Sequence, residues 1–219
     1  MSAPREKTFL LARPEARVLE WIARRLPRWV MPDHLTGLGV LAALGIAAAY
    51  LLSNQDPVWL WAASGLLVVH WLGDSLDGTL ARVRRSERPR YGYYLDHLVD
   101  AIATAVIGIG LGLSPYMLLA TGLVLVIAYL VLSINTYLET HALGVFSLGY
   151  GRLGPTEARV GLIALNTALA LGVAPVVAGL SVLDVAVLGV AGAMIVALVV
   201  RAFCNLRELA RLEPAQAAP

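Results

Sequence analysis

The sequence has too few cysteines for a disulfide-bonded fold and too few charges for an ordinary soluble one. Its only cysteine is Cys204, so no intramolecular disulfide can form and nothing points to an oxidised extracellular protein. Charged residues make up 15% of the 219 residues, whereas 58% are hydrophobic, and the mean hydropathy is +0.73. No apolar run in residues 1–34 is long enough for a signal peptide. These features predict a polytopic membrane protein with one domain.

Six apolar segments each come close to the roughly 20 residues that a bilayer requires. We expect transmembrane helices at approximately residues 35–53, 57–73, 92–113, 115–138, 159–180 and 182–202. Residues 14–30 are predicted to form an amphipathic helix, with apolar residues and tryptophans on one face and arginines mostly elsewhere. That pattern is typical of a helix lying among lipid headgroups, although a soluble partner-binding helix can share it.

The predicted fold is therefore an all-α integral membrane protein with six transmembrane helices and an N-terminal amphipathic interfacial helix. Residues 1–34 would form the interfacial segment, 35–205 the membrane domain and 206–219 a tail. Basic residues lie in both tails and in the links at 82–90 and 152–159, while the links near 54–56, 114 and 181–184 contain none. Because basic links favour the cytoplasmic side, both termini are expected there, in a plasma (inner) membrane protein.

Four aspartates occur between two of these apolar segments, at helical spacing. Asp74 and Asp77 are three residues apart and Asp96 and Asp100 are four apart, so each pair would share one helix face. An ionised aspartate near lipid costs on the order of 3 kcal/mol and needs a compensating charge. A divalent cation with oxygen ligands would supply it and would favour a diphosphate substrate. The alternative is a wet loop in which the five arginines of residues 82–90 neutralise the aspartates.

The residues that follow Asp77 suit phosphate binding. Gly78 has no side chain and Ala81 has a small one, which allows a close approach to the backbone. Arg82 could offer a planar fork of donors to phosphate oxygens.

This stretch resembles the signature of the CDP-alcohol phosphotransferases, DxxDGxxAR followed by GxxxDxxxD. Residues 74–82 read DSLDGTLAR and residues 92–100 read GYYLDHLVD. Every specified position is matched, by Asp74, Asp77, Gly78, Ala81, Arg82, Gly92, Asp96 and Asp100. Residues 32–36, PDHLT, are also similar to the Pro-Asn-x-x-Thr segment of that family, with Asp33 in place of the asparagine.

The resemblance implies a metal-dependent enzyme in which a hydroxyl attacks the phosphorus of a CDP-linked donor and CMP leaves. One or two Mg²⁺ or Mn²⁺ ions are expected on Asp74, Asp77, Asp96 and Asp100. Contacts to CDP are expected from Asp33, Thr36, Gly78, Ala81, Arg82 and Gly92. The family usually assigns the general base to the fourth aspartate, here Asp100. His97 is a rival base, because choline and ethanolamine phosphotransferases have Asp-His-Gly-Cys-Asp at this point.

The acceptor is the least determined part of the prediction. Candidate contacts are Glu139 and His141 for a cationic or hydroxylic group, and Arg152 and Arg159 for a phosphate. We expect CDP-diacylglycerol as donor and a small polar alcohol as acceptor, with transfer from a CDP-amino-alcohol to diacylglycerol as the alternative. Membrane lipid and a second copy in a homodimer are expected partners, and nucleic acid is not.

Two other membrane classes are weaker alternatives. Membrane prenyltransferases also bind a diphosphate through aspartate-rich helices, but their motif begins NxxxDxxxD and lacks GxxAR. A cation transporter would bury its acidic groups near the midplane on broken helices, rather than at helix ends beside several arginines.

Overall fold

A computed structural model describes residues 11–144, 154–173, 176–177 (backbone only) and 180–213. The described residues form seven helices and one hairpin of two-residue strands. The helices are α1 Ala12–Ala23, α2 Pro32–Leu52, α3 Trp59–Val83, α4 Pro89–Gly112, α5 Leu119–Leu143, α6 Pro155–Ala170 and α7 Val182–Leu212. Strands β1 (Val176–Val177) and β2 (Leu180–Ser181) pair antiparallel, with Val176 opposite Ser181. Apart from this hairpin the regular structure is helical, as the sequence predicts.

Four helices of the described chain are long and apolar enough to cross a membrane: α2, α4, α5 and α7. Helix α3 is long but carries Asp74 and Asp77, and α6 has only 16 residues. Helix α6 begins at Pro155 and ends at Ala170, whereas the sequence predicts a span at residues 159–180. Gly172, with φ of 81°, ends α6 in a turn that a residue with a side chain rarely adopts.

Glycines allow the central helices to approach one another closely. A Cβ atom added to Gly73 of α3 would lie 2.7 Å from the Leu35 carbonyl oxygen and from the Gly39 nitrogen, both in α2. A Cβ on Gly110 of α4 would lie 2.6 Å from the Ala47 Cα of α2. Small residues at such crossings bring helix backbones into contact in membrane proteins. Helix α2 is therefore packed tightly against both α3 and α4.

A buried polar network joins α6 to α2 and α3. The Tyr50 hydroxyl donates to the Asn166 Oδ1 at 3.1 Å, and the Asn166 Nδ2 donates to the Ser64 Oγ at 3.3 Å. All three side chains are buried. Satisfying these polar groups inside an apolar core fixes the lateral position of α6.

The short links between helices meet at one end of the bundle. The Asn54 Nδ2 after α2 donates to the Leu113 carbonyl after α4 at 2.9 Å. The Leu118 amide before α5 donates to the Asp184 Oδ1 in the first turn of α7, also at 2.9 Å. These three links are the ones in which the sequence has no arginine or lysine. The basic link at 82–90 joins α3 to α4 at the opposite end of the bundle.

Helix α1 packs on that basic end. Leu19 and Ala23 are buried against Leu76 and Leu80 of α3 and against Leu35 of α2. The helix ends at Ala23, earlier than the sequence predicts, because the following residues turn towards α2. The Arg84 guanidinium, just after α3, donates to carbonyls of that turn, at residues 26, 27, 28 and 30.

The apolar face predicted for α1 divides into two. Ile22 packs inward with Leu19 and Ala23, whereas Val18, Trp21 and, in the turn, Trp29 are exposed. The exposed fraction is 57% for Trp21 and 73% for Trp29, so an apolar strip faces outward beside the arginines.

Candidate active site

Helices α3 and α4 both pack on α2, which brings their aspartates within electrostatic range of one another, and we refer to Asp74, Asp77, Asp96 and Asp100 as the aspartate cluster. The charges of Asp74 and Asp96 both act on Asp77. The charges of Asp74 and Asp96 likewise act on Asp100. Two pairs that are distant in sequence therefore lie within electrostatic range of one another.

The cluster has the donor chemistry of a divalent cation site. Carboxylates within electrostatic range of one another repel, and a cation between them reduces that repulsion. One ligand atom from each of Asp96, His97 and Asp100, all in α4, can be chosen so that the three lie within 4.8 Å of one another, and this group includes neither Asp74 nor Asp77. Carboxylate oxygens suit Mg²⁺ and Mn²⁺, so the residues present fit such an ion.

Asp77 is oriented by α2 and by its own helix. The Thr36 hydroxyl donates to the Asp77 Oδ2 at 2.6 Å, and the Gly78 amide donates to the Asp77 Oδ1 at 2.5 Å. Thr36 is buried, and it faces Asp77 because Gly39 and Gly73 let α2 and α3 approach closely. In this structure, Thr36 positions a carboxylate of the cluster.

Asp74 forms an ion pair with Arg159 of α6. The Arg159 Nη2 lies 2.6 Å from the Asp74 Oδ2, and the exposed fractions of the two side chains are 15% and 21%. Arg159 is predicted from the sequence as an acceptor contact, and the structure places it in the aspartate cluster. No local spacing could have revealed this contact, because the two residues are 85 positions apart.

The arginines between the aspartate pairs do not neutralise the cluster in the described part of the chain. Arg88 pairs with Asp33, with the Arg88 Nη2 lying 2.5 Å from the Asp33 Oδ1. The hydrogen bond to Asp33 raises the pKa of Arg88. Arg82 is exposed and its Nη2 donates to the Thr79 Oγ1 at 3.0 Å. The wet-loop alternative therefore lacks the contacts that it requires.

The remaining residues predicted to contact CDP border the cluster. Asp33 lies in the first turn of α2 and, being paired with Arg88, does not cap that helix, whose N-cap is Met31. A Cβ on Gly78 would meet only the Arg82 side chain, at 3.5 Å, and one on Gly92 would meet nothing within 4 Å. Ala81 is half-buried. The face beside Gly78 and Arg82 is therefore open to a ligand.

His97 is held between two tyrosines at the edge of the cluster. Its ring stacks on Tyr137 of α5, with centroids 4.9 Å apart, and meets the edge of Tyr93 at 4.1 Å. Its Nδ1 lies 3.5 Å from the Asp96 Oδ2. Sequence reasoning missed both tyrosines, although Tyr93 precedes His97 by one helical turn and that spacing could have shown it.

The residues predicted to contact the acceptor do not converge. Glu139 of α5 is buried, and its Oε1 lies 2.5 Å from the Nη2 of Arg201 in α7, a residue that the sequence did not single out. His141 is exposed. Arg152 lies outside the described residues, and Arg159 pairs with Asp74.

Comparison with known proteins gives a consistent picture. A family model described as CDP-alcohol phosphatidyltransferase matches residues 29–200. Cholinephosphotransferase 1 of Gallus gallus is 29% identical over 158 residues, which cover 66% of this chain and 45% of that protein. The CDP-diacylglycerol–glycerol-3-phosphate 3-phosphatidyltransferase of Cereibacter sphaeroides is 33% identical over 102 residues, 44% of this chain and 45% of that protein.

A third relative is the CDP-diacylglycerol–serine O-phosphatidyltransferase of Encephalitozoon cuniculi. It is 32% identical over 121 residues, 50% of this chain and 31% of that protein. The chain thus spans less than half the length of each of these relatives.

Proposed function

This chain belongs to the CDP-alcohol phosphatidyltransferase family, and from that premise we propose that it transfers a substituted phosphate group from a CDP-linked donor to a hydroxyl acceptor, releasing CMP. The observation that carries the proposal is the aspartate cluster, in which carboxylates of α3 and α4 lie within electrostatic range of one another. Four acids at one end of an apolar bundle favour the binding of a cation, and a bound cation can in turn bind phosphate.

The cluster would hold one or two Mg²⁺ or Mn²⁺ ions, which would neutralise the diphosphate and the charge that develops on the departing CMP. Thr36 and the Gly78 amide keep Asp77 in one orientation, so this carboxylate needs little reorganisation when the donor binds. Arg82 is exposed beside Gly78 and would donate to the phosphates of the donor.

Asp100 is the proposed general base. It belongs to the cluster, within electrostatic range of Asp74 and Asp96, where an acceptor hydroxyl bound near the donor phosphorus would meet it. His97 remains the second candidate, because its ring is held beside Asp96 by Tyr93 and Tyr137.

CDP-diacylglycerol is the proposed donor and a small polar alcohol the proposed acceptor. The alternative is a choline- or ethanolamine-type reaction that transfers a phospho-amino-alcohol to diacylglycerol. The relatives that match this chain include both cholinephosphotransferases and CDP-diacylglycerol phosphatidyltransferases, so their names do not distinguish between the two donors. Arg159 is the acceptor candidate that lies nearest the cluster, and Glu139 is the one held by Arg201.

We further propose that all six helices from α2 to α7 cross the plasma (inner) membrane and that the protein forms a homodimer. The cluster and both termini would lie on the cytoplasmic side. The grouping of basic links at one end supports this orientation. The exposed Val18, Trp21 and Trp29 support contact of α1 and its following turn with the headgroup layer. Cysteine-accessibility labelling of the links from each side of sealed vesicles would test the topology.

The deciding experiment supplies purified protein in lipid nanodiscs with CDP-diacylglycerol or CDP-choline and a panel of hydroxyl acceptors. CMP and the lipid product are measured, with and without a chelator followed by Mg²⁺ or Mn²⁺. We expect CMP release with one donor class, loss on chelation and recovery with the metal. Absence of CMP with every donor, or full turnover in the chelator, would refute the proposal. Uptake of a cation into vesicles without CMP would favour a transporter.

A further inference from the structure

Glu15 of α1 binds three side chains from two other helices through a single carboxylate oxygen. Its Oε1 accepts from the Trp71 Nε1 at 2.9 Å and from the Ser75 Oγ at 3.3 Å, both in α3. The same oxygen accepts from the Thr156 Oγ1 in the first turn of α6 at 3.0 Å. One half-buried carboxylate therefore joins α1, α3 and α6.

A second contact strengthens the link between α1 and α6. The Leu11 amide, at the start of α1, donates to the Glu157 Oε1 at 2.8 Å. The Glu157 Oε2 accepts from the Gly154 amide at 2.9 Å, which closes the first turn of α6. The beginning of α6 is thus fixed to α1 by both Thr156 and Glu157.

These contacts flank the ion pair of the aspartate cluster. Ser75 directly follows Asp74 in α3, and Thr156 precedes Arg159 by about one turn of α6. Glu15 therefore holds the neighbours of both members of the Asp74–Arg159 pair. The position of the Arg159 guanidinium depends on the distance between α6 and α3 at this end.

We propose that Glu15 is a positioning residue, which holds the first turn of α6 against α3 and thereby keeps Arg159 on Asp74. The inference rests on the proposed function only for its kinetic readout. The proposal also makes α1 part of the site, because the inward carboxylate of this helix holds the neighbours of Asp74 and Arg159. Loss of the Glu15 contact would let Arg159 leave Asp74 and change the charge of the cluster.

The kinetic test compares three variants of the full chain in nanodiscs. Glu15→Ala removes the acceptor, and Thr156→Val removes only the α6 hydroxyl while keeping the side-chain volume. Glu20→Ala is the control, because Glu20 pairs with Arg24 within α1. For Glu15→Ala we expect a loss of about 5- to 30-fold in kcat/KM for CMP release. Thr156→Val should cause a smaller loss, and Glu20→Ala should match the parent chain.

A double-mutant cycle separates positioning from a general structural role. If Glu15 acts through Arg159, Glu15→Ala should have almost no further effect in an Arg159→Ala background. A loss of equal size in both backgrounds, or no loss in the first, would overturn the inference. Should Glu15→Ala fail to fold, the same cycle with Thr156→Val distinguishes the two roles.

A distance measurement tests the inference without any activity. Val68 of α3 and Val160 of α6 are both exposed and can carry spin labels in a Cys204→Ser background. Pulsed electron–electron double resonance would then measure the separation of these two helices. The distance distribution should broaden in Glu15→Ala and Thr156→Val but not in Glu20→Ala. An unchanged distribution in both variants would overturn the inference even if the parent chain releases no CMP.

Discussion

Two ion pairs with largely buried side chains join helices within the described part of this bundle, and they differ in what surrounds them. Asp74–Arg159 joins α3 to α6 with an N–O distance of 2.6 Å, and Glu139–Arg201 joins α5 to α7 with 2.5 Å. The Asp74 carboxylate of the first pair also acts on two further carboxylates, Asp77 and Asp100, whereas the second pair joins one acid and one base. An excess of acid, rather than the ion pair itself, therefore marks the candidate site.

The comparison has a physical basis. A buried ion pair loses hydration energy that its own attraction offsets only in part, but its charge is balanced, so it does not require a further ion. Four carboxylates beside one guanidinium are not balanced, and a cation reduces their repulsion. The Asp74–Arg159 pair should therefore matter for catalysis, and the Glu139–Arg201 pair for the stability of the fold.

Removing one acid of the cluster should give the largest effect. In Asp77→Asn or Asp96→Asn we expect no detectable CMP release, because an amide is a poor ligand for a hard divalent cation. The protein should remain folded in nanodiscs, by circular dichroism and thermal unfolding. Asp56→Asn is a matched control in an exposed link at the opposite end, and it should retain activity. Near-normal turnover of the Asp96 variant would contradict the metal assignment.

The two candidate bases should differ in the size of their effect. Asp100→Asn should lower kcat by about 100-fold or more at saturating metal, as expected when a general base is lost. His97→Ala should cause a far smaller loss, since that ring lies at the edge of the cluster. Initial rates of CMP release at several metal concentrations would check both. If His97→Ala is as inactive as Asp100→Asn, the base must be reassigned.

Breaking the second ion pair should affect stability rather than chemistry. Arg201→Met leaves the Glu139 carboxylate buried with its ion-pair partner removed, which costs about 3 kcal/mol or more of stability. The double variant with Glu139→Gln should recover most of that loss, and CMP release per folded molecule should stay close to that of the parent chain. Thermal unfolding measures the first effect and active-site-normalised rates the second. A large drop in kcat with unchanged stability would place Glu139 in the acceptor site instead.

The smallest effect is expected at the exposed edge of the cluster. Arg82→Lys keeps the positive charge but loses the planar fork, so KM for the CDP-linked donor should rise several-fold with little change in kcat. Arg85→Lys is the control, because Arg85 lies in the exposed turn after α3. An unchanged KM for the Arg82 variant would argue against a phosphate contact.

Much of the fold follows from local sequence patterns, but helix ends do not. The apolar segments predicted α2 and α4 closely, since composition and length are read directly from the chain. The segment at 159–180 instead ends its helix at Ala170, because Gly172 turns the chain where composition shows no break. The sequence likewise predicts six spans, of which four are long and apolar enough by themselves.

The site divides in the same way. The spacing of Asp74 with Asp77 and of Asp96 with Asp100 predicts two acidic helix faces, because helical periodicity is a local property. The acceptor prediction is weaker, since it depends on how α5, α6 and α7 pack. Arg201 is separated from Glu139 by 62 positions, and no spacing rule connects them.

The sequence alone determined that the chain is apolar and helical and that four costly carboxylates occupy two helix faces near the ends of apolar segments. Only the tertiary structure decided that these faces lie within electrostatic range of one another, that Thr36 holds Asp77 and that Arg159 pairs with Asp74. The physical reason is range: periodicity and hydropathy act within one helix. The partners of a buried charge are set by helix crossings, such as the contact of Gly39 with Gly73, which join residues far apart in the chain.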